Sequence, residues 1–239
     1  MFCQHCGQEI APEGGVCGSC GGAVALPASV IAGPPASALL AEHAKTASRS
    51  AMSALKTLAA DPIGGMQSAA ATLGPQNALS AGIVFALVFD LALTLAARRA
   101  MGTGHSFVSA FGGSIAGPTL GDTLKLLIAG LVPFAAIAGA NALLRKVARN
   151  SGSIQGDCFI AGAALLPMAL QFLVTSVLGL ANFEVTLLLG VFALCYTVLM
   201  LHSGVRHVSG MAEPVAGVAV PLILLVGAWC TKIIIVAIL

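Results

Sequence analysis

Residues 158–180 read CFIAGAALLPMALQFLVTSVLGL, a run of 23 positions without a charge. At about 1.5 Å per residue, a helix of that length crosses the ~30 Å hydrocarbon core of a bilayer. Similar apolar runs lie on both sides of it, at 79–97, 124–144, 184–202 and 215–238. Only Asp90 and Lys232 fall deep inside a run, and Lys125 stands at the border of the second. Buried helices of a soluble core would rarely all reach this length. The expected fold class is an all-α membrane helix bundle of five transmembrane helices, occupying residues 78–239. The short connection Leu180-Ala181-Asn182-Phe183 makes the third and fourth spans an antiparallel hairpin. Pro133, Pro167 and Pro221 lie inside spans, where neighbouring helices can re-satisfy the freed carbonyls.

Composition agrees. Charged residues are 8% of the chain, against roughly 25% in an average soluble protein. Apolar residues are 58% and the mean hydropathy is +0.98. Seven of the 20 charges lie before residue 78, and the rest, apart from Asp90 and Lys232, gather in or beside the short connections between the apolar runs. A formal charge of +2 without a basic run excludes nucleic acid as an expected partner. The lipid bilayer is the expected environment.

The first 21 residues read MFCQHCGQEIAPEGGVCGSCG. Cys3 and Cys6 form one C-x-x-C and Cys17 and Cys20 a second, each followed by glycine. A two-residue spacer aims both sulfurs at one metal, and four thiolates suit a tetrahedral Zn²⁺. Glycine after the second cysteine fits the tight turn. The alternative of two disulfides needs an oxidising compartment, and no apolar signal segment precedes the cysteines. So short a segment cannot build a core, and the metal would supply its folding free energy. One structural Zn²⁺ is therefore expected on Cys3, Cys6, Cys17 and Cys20, within a ribbon at residues 1–24. Such a site keeps no open position for water, so hydrolysis at the metal is not expected. His5, between two ligands, reads as a spacer. With the metal bound, four thiolates and one Zn²⁺ bring the formal charge to about zero.

Residues 25–77 read as a linker. Pro34-Pro35 stiffens its start, and 37–60 carries an amphipathic helix pattern. Leu40, Ala44, Ala47, Ala51, Leu55 and Leu58 form its stripe, flanked by Lys45, Arg49 and Lys56. A helix lying on the membrane surface and a solvated linker helix are equally compatible with that stripe. Asp61-Pro62 and Gly64-Gly65 end the helix, and Gly74-Pro75-Gln76 punctuates the approach to the first span.

Basic residues set the orientation. With the N-terminus inside, Lys45, Arg49, Lys56, Arg145, Lys146, Arg149 and Arg206 are cytoplasmic, against Arg98 and Arg99 outside. The expected location is the cytoplasmic (inner) membrane, N-terminus in the cytoplasm and C-terminus outside. The 98–122 segment is expected as an outer loop.

Catalytic residues are not expected. The chain has no G-x-S-x-G, H-E-x-x-H or phosphate-loop pattern. His202 and His207 are five apart, where metal ligands on one helix face need four, and read as interfacial anchors beside Arg206. Cys158, Cys195 and Cys230 read as small core residues. Asn141 and Gln171 are intramembrane amides expected to bond between helices, and Gln171 with Thr175 and Ser176 marks the place for a polar cavity. Asp90 lies on a stripe of small residues, Gly82, Ala86 and Thr94. That stripe places Asp90 inward, and equal depth places Lys232 within its reach. A pairing of the first and fifth spans through Asp90 and Lys232 is one expectation. Lys232 reaching to the surface, with Asp90 protonated or bonded to Thr94 or backbone, is the other.

Three stretches carry a resemblance: KLLIAGLVPFAAIAGANALL at 125–144, GAALLPMALQFLV at 162–174 and YTVLMLHSGVRHVSGM at 196–211. With a proline in the second, third and fifth spans, residues 120–239 resemble the Yip/Yif family, the Rab-GTPase-interacting factors of eukaryotes. The N-terminal cysteine pairs resemble zinc ribbons that begin many prokaryotic membrane proteins, where this chain departs from the longer tails of eukaryotic members. The resemblance implies five spans, a cytoplasmic N-terminus and no catalytic residues. The expected function is that of a non-enzymatic integral membrane protein, an organiser or scaffold whose zinc ribbon docks a cytoplasmic protein partner. A small transporter or channel using intramembrane polar residues is the alternative.

Overall fold

The computed structural model describes Cys20 and residues 36–110, 119–178 and 183–238. The chain divides into two compact units, residues 1–45 and 46–239. The expected four-cysteine ribbon lies outside the described residues except for Cys20, which stands exposed in a turn.

The described residues form six helices: α1 (Ala36–Ala60), α2 (Gly65–Ala110), α3 (Leu120–Val147), α4 (Ile154–Leu178), α5 (Phe183–His207) and α6 (Glu213–Ile238). Helices α2 to α6 are long and apolar enough to cross a membrane. The protein is a helical membrane protein, and the five runs read from hydropathy are the cores of these five helices. Each helix extends beyond its apolar run, because capping and propensity set helix ends while hydropathy marks only the part suited to hydrocarbon.

Helix α1 stops where the sequence places the break. The Asp61 carboxylate accepts the Gly64 N–H at 2.8 Å. A Cβ at Gly65 would come within 2.9 Å of the Thr57 carbonyl, so the reversal into α2 is tight enough to need glycine. Ala51, Ala54 and Leu58 are buried, while Leu55 and Met52 stay exposed. Helix α2 is broken at Gly74 (φ 68°, ψ 171°), just before Pro75. It then continues past Arg98 and Arg99 to Ala110, so residues 98–110 are helical and not part of an outer loop. The Ala and Met near the arginines favour helix, and no proline interrupts them. Thr119 caps α3 in a capping box with Asp122.

The first span, α2, packs mainly on the third, α4, and the second, α3, mainly on the fifth, α6. At the first crossing the backbones touch. A Cβ at Gly82 would come within 2.5 Å of the Cys158 carbonyl and 2.9 Å of the Phe159 Cα. One at Gly162 would overlap the Gly82 carbonyl. Such contact is how small residues hold helices together in lipid, where apolar burial gives little driving force. Gly139 and Gly217, also inside spans, face open space instead. Phe85, Phe89, Phe159, Ile160, Met66, Leu201 and Val205 fill the interior. Leu91, Leu170, Phe192, Leu225 and Trp229 are all more than half exposed. That outward apolar surface suits a lipid surround.

Candidate functional site

The connections α1–α2, α3–α4 and α5–α6 share one end of the bundle, where Ser203 of α5 donates to the Ile63 carbonyl. This end holds a buried polar network. Arg145 lies in the last turn of α3, and Asp157 in the first turn of α4. Each complements the dipole of its own helix end. The Arg145 Nε and Nη2 reach Asp157 Oδ2 at 3.0 and 2.9 Å. The other carboxylate oxygen accepts from Asn141 Nδ2 at 2.8 Å and from the Ser209 hydroxyl at 3.1 Å. Asn141 also donates to Ser209 Oγ at 3.0 Å. Asn141, Asp157 and Ser209 are 0–2% exposed and Arg145 7%. The acid is thus bonded on both oxygens, as a buried charge requires.

Local backbone geometry delivers these groups. Helix α3 ends in a Schellman motif: Asn150 N–H donates to the Arg145 carbonyl, and Arg149 N–H to that of Lys146. Arg149 takes the left-handed φ of 55° that the motif demands. The Ser153 hydroxyl accepts from Gly156 N–H, capping α4 and setting Asp157 one turn in. Gly152 lets the α3–α4 connection lie on the α5–α6 connection. A Cβ there would meet Arg145 Cδ at 2.7 Å and the Ser209 carbonyl at 3.2 Å. Gly210, at φ 70°, turns the chain after Ser209.

The expectation for Asn141, a hydrogen bond between helices, holds. Arg145 is a buried structural cation, where the sequence read only a loop charge. Asp157 and Ser209 are not singled out by sequence. The available signal is a last-turn base and a first-turn acid flanking a short connection.

The opposite end carries a cleft of about 410 Å³ between α2, α4 and α5. Arg99, Gln171, Thr175 and Thr186 contribute its polar atoms, and Leu93 and Phe172 part of its apolar wall. Arg99 donates to the Ser176 carbonyl near the C-terminus of α4. Gln171 Oε1 is buried without a hydrogen-bond partner. A cavity is expected at Gln171, Thr175 and Ser176: Gln171 and Thr175 do line this cleft, with Arg99 added by tertiary packing, but Ser176 does not, its hydroxyl donating to the Leu173 carbonyl, and most of the wall is apolar.

Asp90 and Lys232 do not pair. Asp90 is 3% exposed and lies against Gly130 of α3, where a Cβ would overlap its carboxylate. Lys232 is exposed on α6, its ammonium 5.8 Å from the Trp229 ring. The spans that carry them each pack mainly on other helices. Nor does Asp90 bond to Thr94, since Asp90 Oδ1 and Thr94 Oγ1 are both without partners. Arg206 pairs with Glu213 at 3.2 Å on the exposed surface, and His207 Nδ1 lies 3.0 Å from the Ser203 carbonyl. Cys158 is half-buried and packs against the core, as expected, whereas Cys230 is half-buried outside that cluster and Cys195 is exposed. Among the described residues, no three His, Cys, Asp or Glu side chains gather as metal ligands.

No protein-family model, curated protein or solved structure matches the chain.

Proposed function

We propose that the protein is a non-enzymatic membrane organiser of Yip/Yif type, in which a cytoplasmic zinc ribbon docks a protein partner and the five-span bundle serves as its anchor. The observation that supports this reading is the Arg145–Asp157 network. It ties α3, α4 and the α5–α6 connection into one buried unit at the bundle end that α1 joins. A rigid face there suits a platform better than a gate. Phe85, Phe89 and Phe159 are buried in the bundle interior, and a filled interior also favours a scaffold over a solute path.

In this reading one Zn²⁺ sits on Cys3, Cys6, Cys17 and Cys20. Metal analysis of the purified chain should give one zinc per protein, lost in a Cys3→Ser, Cys20→Ser double variant whose bundle still inserts. Zinc retained by that variant would refute the site. The N-terminus is cytoplasmic and the membrane is the inner one. Tags at the N-terminus and in the 150–153 connection should then be shielded from an impermeant reagent, and a C-terminal tag reached by it. Labelling of the 150–153 connection from outside would reverse the orientation.

Full-length protein in nanodiscs tests the function. A cytosolic protein should be captured by wild type, and lost with chelator and with the double cysteine variant. Solute flux through proteoliposomes would instead favour a transporter or channel.

A further inference from the structure

One ionisable side chain deep in the spans is left without a counter-charge. Asp90 of α2 is 3% exposed, its Oδ1 has no hydrogen-bond partner, and among the described residues no Lys, Arg or His pairs with it. A charge in hydrocarbon is costly unless something neutralises it. One turn on, Thr94 is 6% exposed and its Oγ1 is also without a partner. Thr57, Thr72 and Thr231 donate to the carbonyl four residues back, a usual resort of a helical threonine. Thr94 does not, which leaves its oxygen available on the face that carries Asp90.

The facing helix supplies a third oxygen. Asp90 is seated against Gly130 of α3, where a Cβ would overlap its carboxylate and stand 3.6 Å from its Cα, so the two backbones come close at this point. Pro133 lies within the same helix and has no N–H to give the carbonyl of Ala129. That carbonyl belongs to the peptide that joins Ala129 to Gly130, the residue in contact with the acid, and Ala129 is 7% exposed. Glycine thus keeps open a space beside the carboxylate, and proline frees an acceptor next to it. The set is three oxygens with one negative charge and a single donor hydrogen. Among the described residues no group of His, Cys, Asp or Glu gathers as a transition metal or Ca²⁺ would need. A hard monovalent cation is the ligand that neutralises this set.

We propose that Na⁺ binds at the crossing of α2 and α3, held by the Asp90 carboxylate, the Thr94 hydroxyl and the Ala129 carbonyl, and that it joins the first span to the second. The space beside the carboxylate does not admit a methyl group, which favours Na⁺ over the larger K⁺. The ion takes up oxygens that neither helix satisfies by itself, and the carboxylate cancels its charge, so neither charge stands alone in the hydrocarbon. The site involves neither the zinc ribbon nor the Arg145 network and does not depend on what the protein docks.

Thermal melts of the full-length protein in detergent read the ion, with NaCl or KCl replacing choline chloride at constant ionic strength. A ligand that binds only the folded state raises the melting temperature. At about a hundredfold excess over half-saturation, Na⁺ should raise it by about 5–10 °C, and K⁺ by clearly less. Asp90→Asn keeps the shape and should abolish the Na⁺ shift while melting in choline no lower than wild type. Thr94→Val should weaken the apparent Na⁺ affinity about tenfold, and Thr94→Ser should retain it. Pro133→Ala, which returns an N–H to the Ala129 carbonyl, should weaken Na⁺ without removing a charge. Melts in choline confirm that each variant folds. Equal melting temperatures in the three salts overturn the site. So does a Na⁺ shift that survives Asp90→Asn, which would place the ion elsewhere. Stabilisation by falling pH that is indifferent to Na⁺ and lost in Asp90→Asn would put a proton in place of sodium, and overturns it too.

Discussion

Replacing Asp157 with alanine should destabilise the bundle by about 3–5 kcal/mol, because it leaves the Arg145 guanidinium buried without its counter-charge. The same change removes the acceptor for Asn141 Nδ2 and the Ser209 hydroxyl, both nearly inaccessible to water. Arg145→Ala should cost a similar amount by stranding the carboxylate. The double change Arg145→Met, Asp157→Leu should recover most of the loss, since a well-packed apolar pair is often as stable as the ion pair it replaces. Recovery will be incomplete because Asn141 and Ser209 lose a shared acceptor. Thermal unfolding of the three variants in one detergent measures this, and purely additive losses would show that the two residues do not act as a pair. The effect belongs to the interior. The exposed Arg206–Glu213 pair should be worth at most ~1 kcal/mol in the same assay.

The second large effect is expected at the crossing of α2 and α4. Gly162→Leu places a side chain where the Gly82 carbonyl already sits, and Gly82→Leu meets the Cys158 carbonyl. Overpacking usually costs about 1–3 kcal/mol, but that assumes neighbours that can shift. Here the neighbour is backbone of another span, so the helices must separate along the crossing. The expected loss is therefore at or above about 3 kcal/mol, with reduced yield of folded protein. Gly139→Ala supplies the contrast. It faces open space, and removing a helix-interior glycine should be neutral or stabilise by up to ~1 kcal/mol. Gly139→Leu, which has the same room, should also be tolerated, and melting temperatures that fall equally for Gly162→Leu and Gly139→Leu would mean that the crossing is not tight.

How much of this was legible in the sequence depends on the range of the interaction. Asn141 was legible as an interhelical donor because an amide in hydrocarbon must find a partner, whichever helix provides it. Gln171 and Thr175 were legible as a polar place for the same reason. Asp157 was not, because an acid at a helix start reads as an ordinary solvated charge until its connection folds under the next one. The Asp90–Lys232 expectation failed on a related point. The small-residue stripe correctly placed Asp90 against a close neighbour, but that neighbour is Gly130 of the second span. Matching depths along two helices say nothing about whether those helices are adjacent.

The sequence by itself determined that the body of this protein is helical and apolar over five lengths, where the helix before it breaks, and which glycines and amides are available for contact. These are local properties, summed over about 20 residues or carried by a Pro-Gly turn, and a bilayer acts on each helix separately. Only the tertiary structure decided which spans touch, that Gly82 and Gly162 meet while Gly139 does not, and that Arg145 is buried on Asp157. Rotation about each helix axis and the choice of neighbour come from packing small surfaces and satisfying scattered polar groups. Those energies depend on pairs of residues far apart in the chain, here the 68 positions between Asn141 and Ser209.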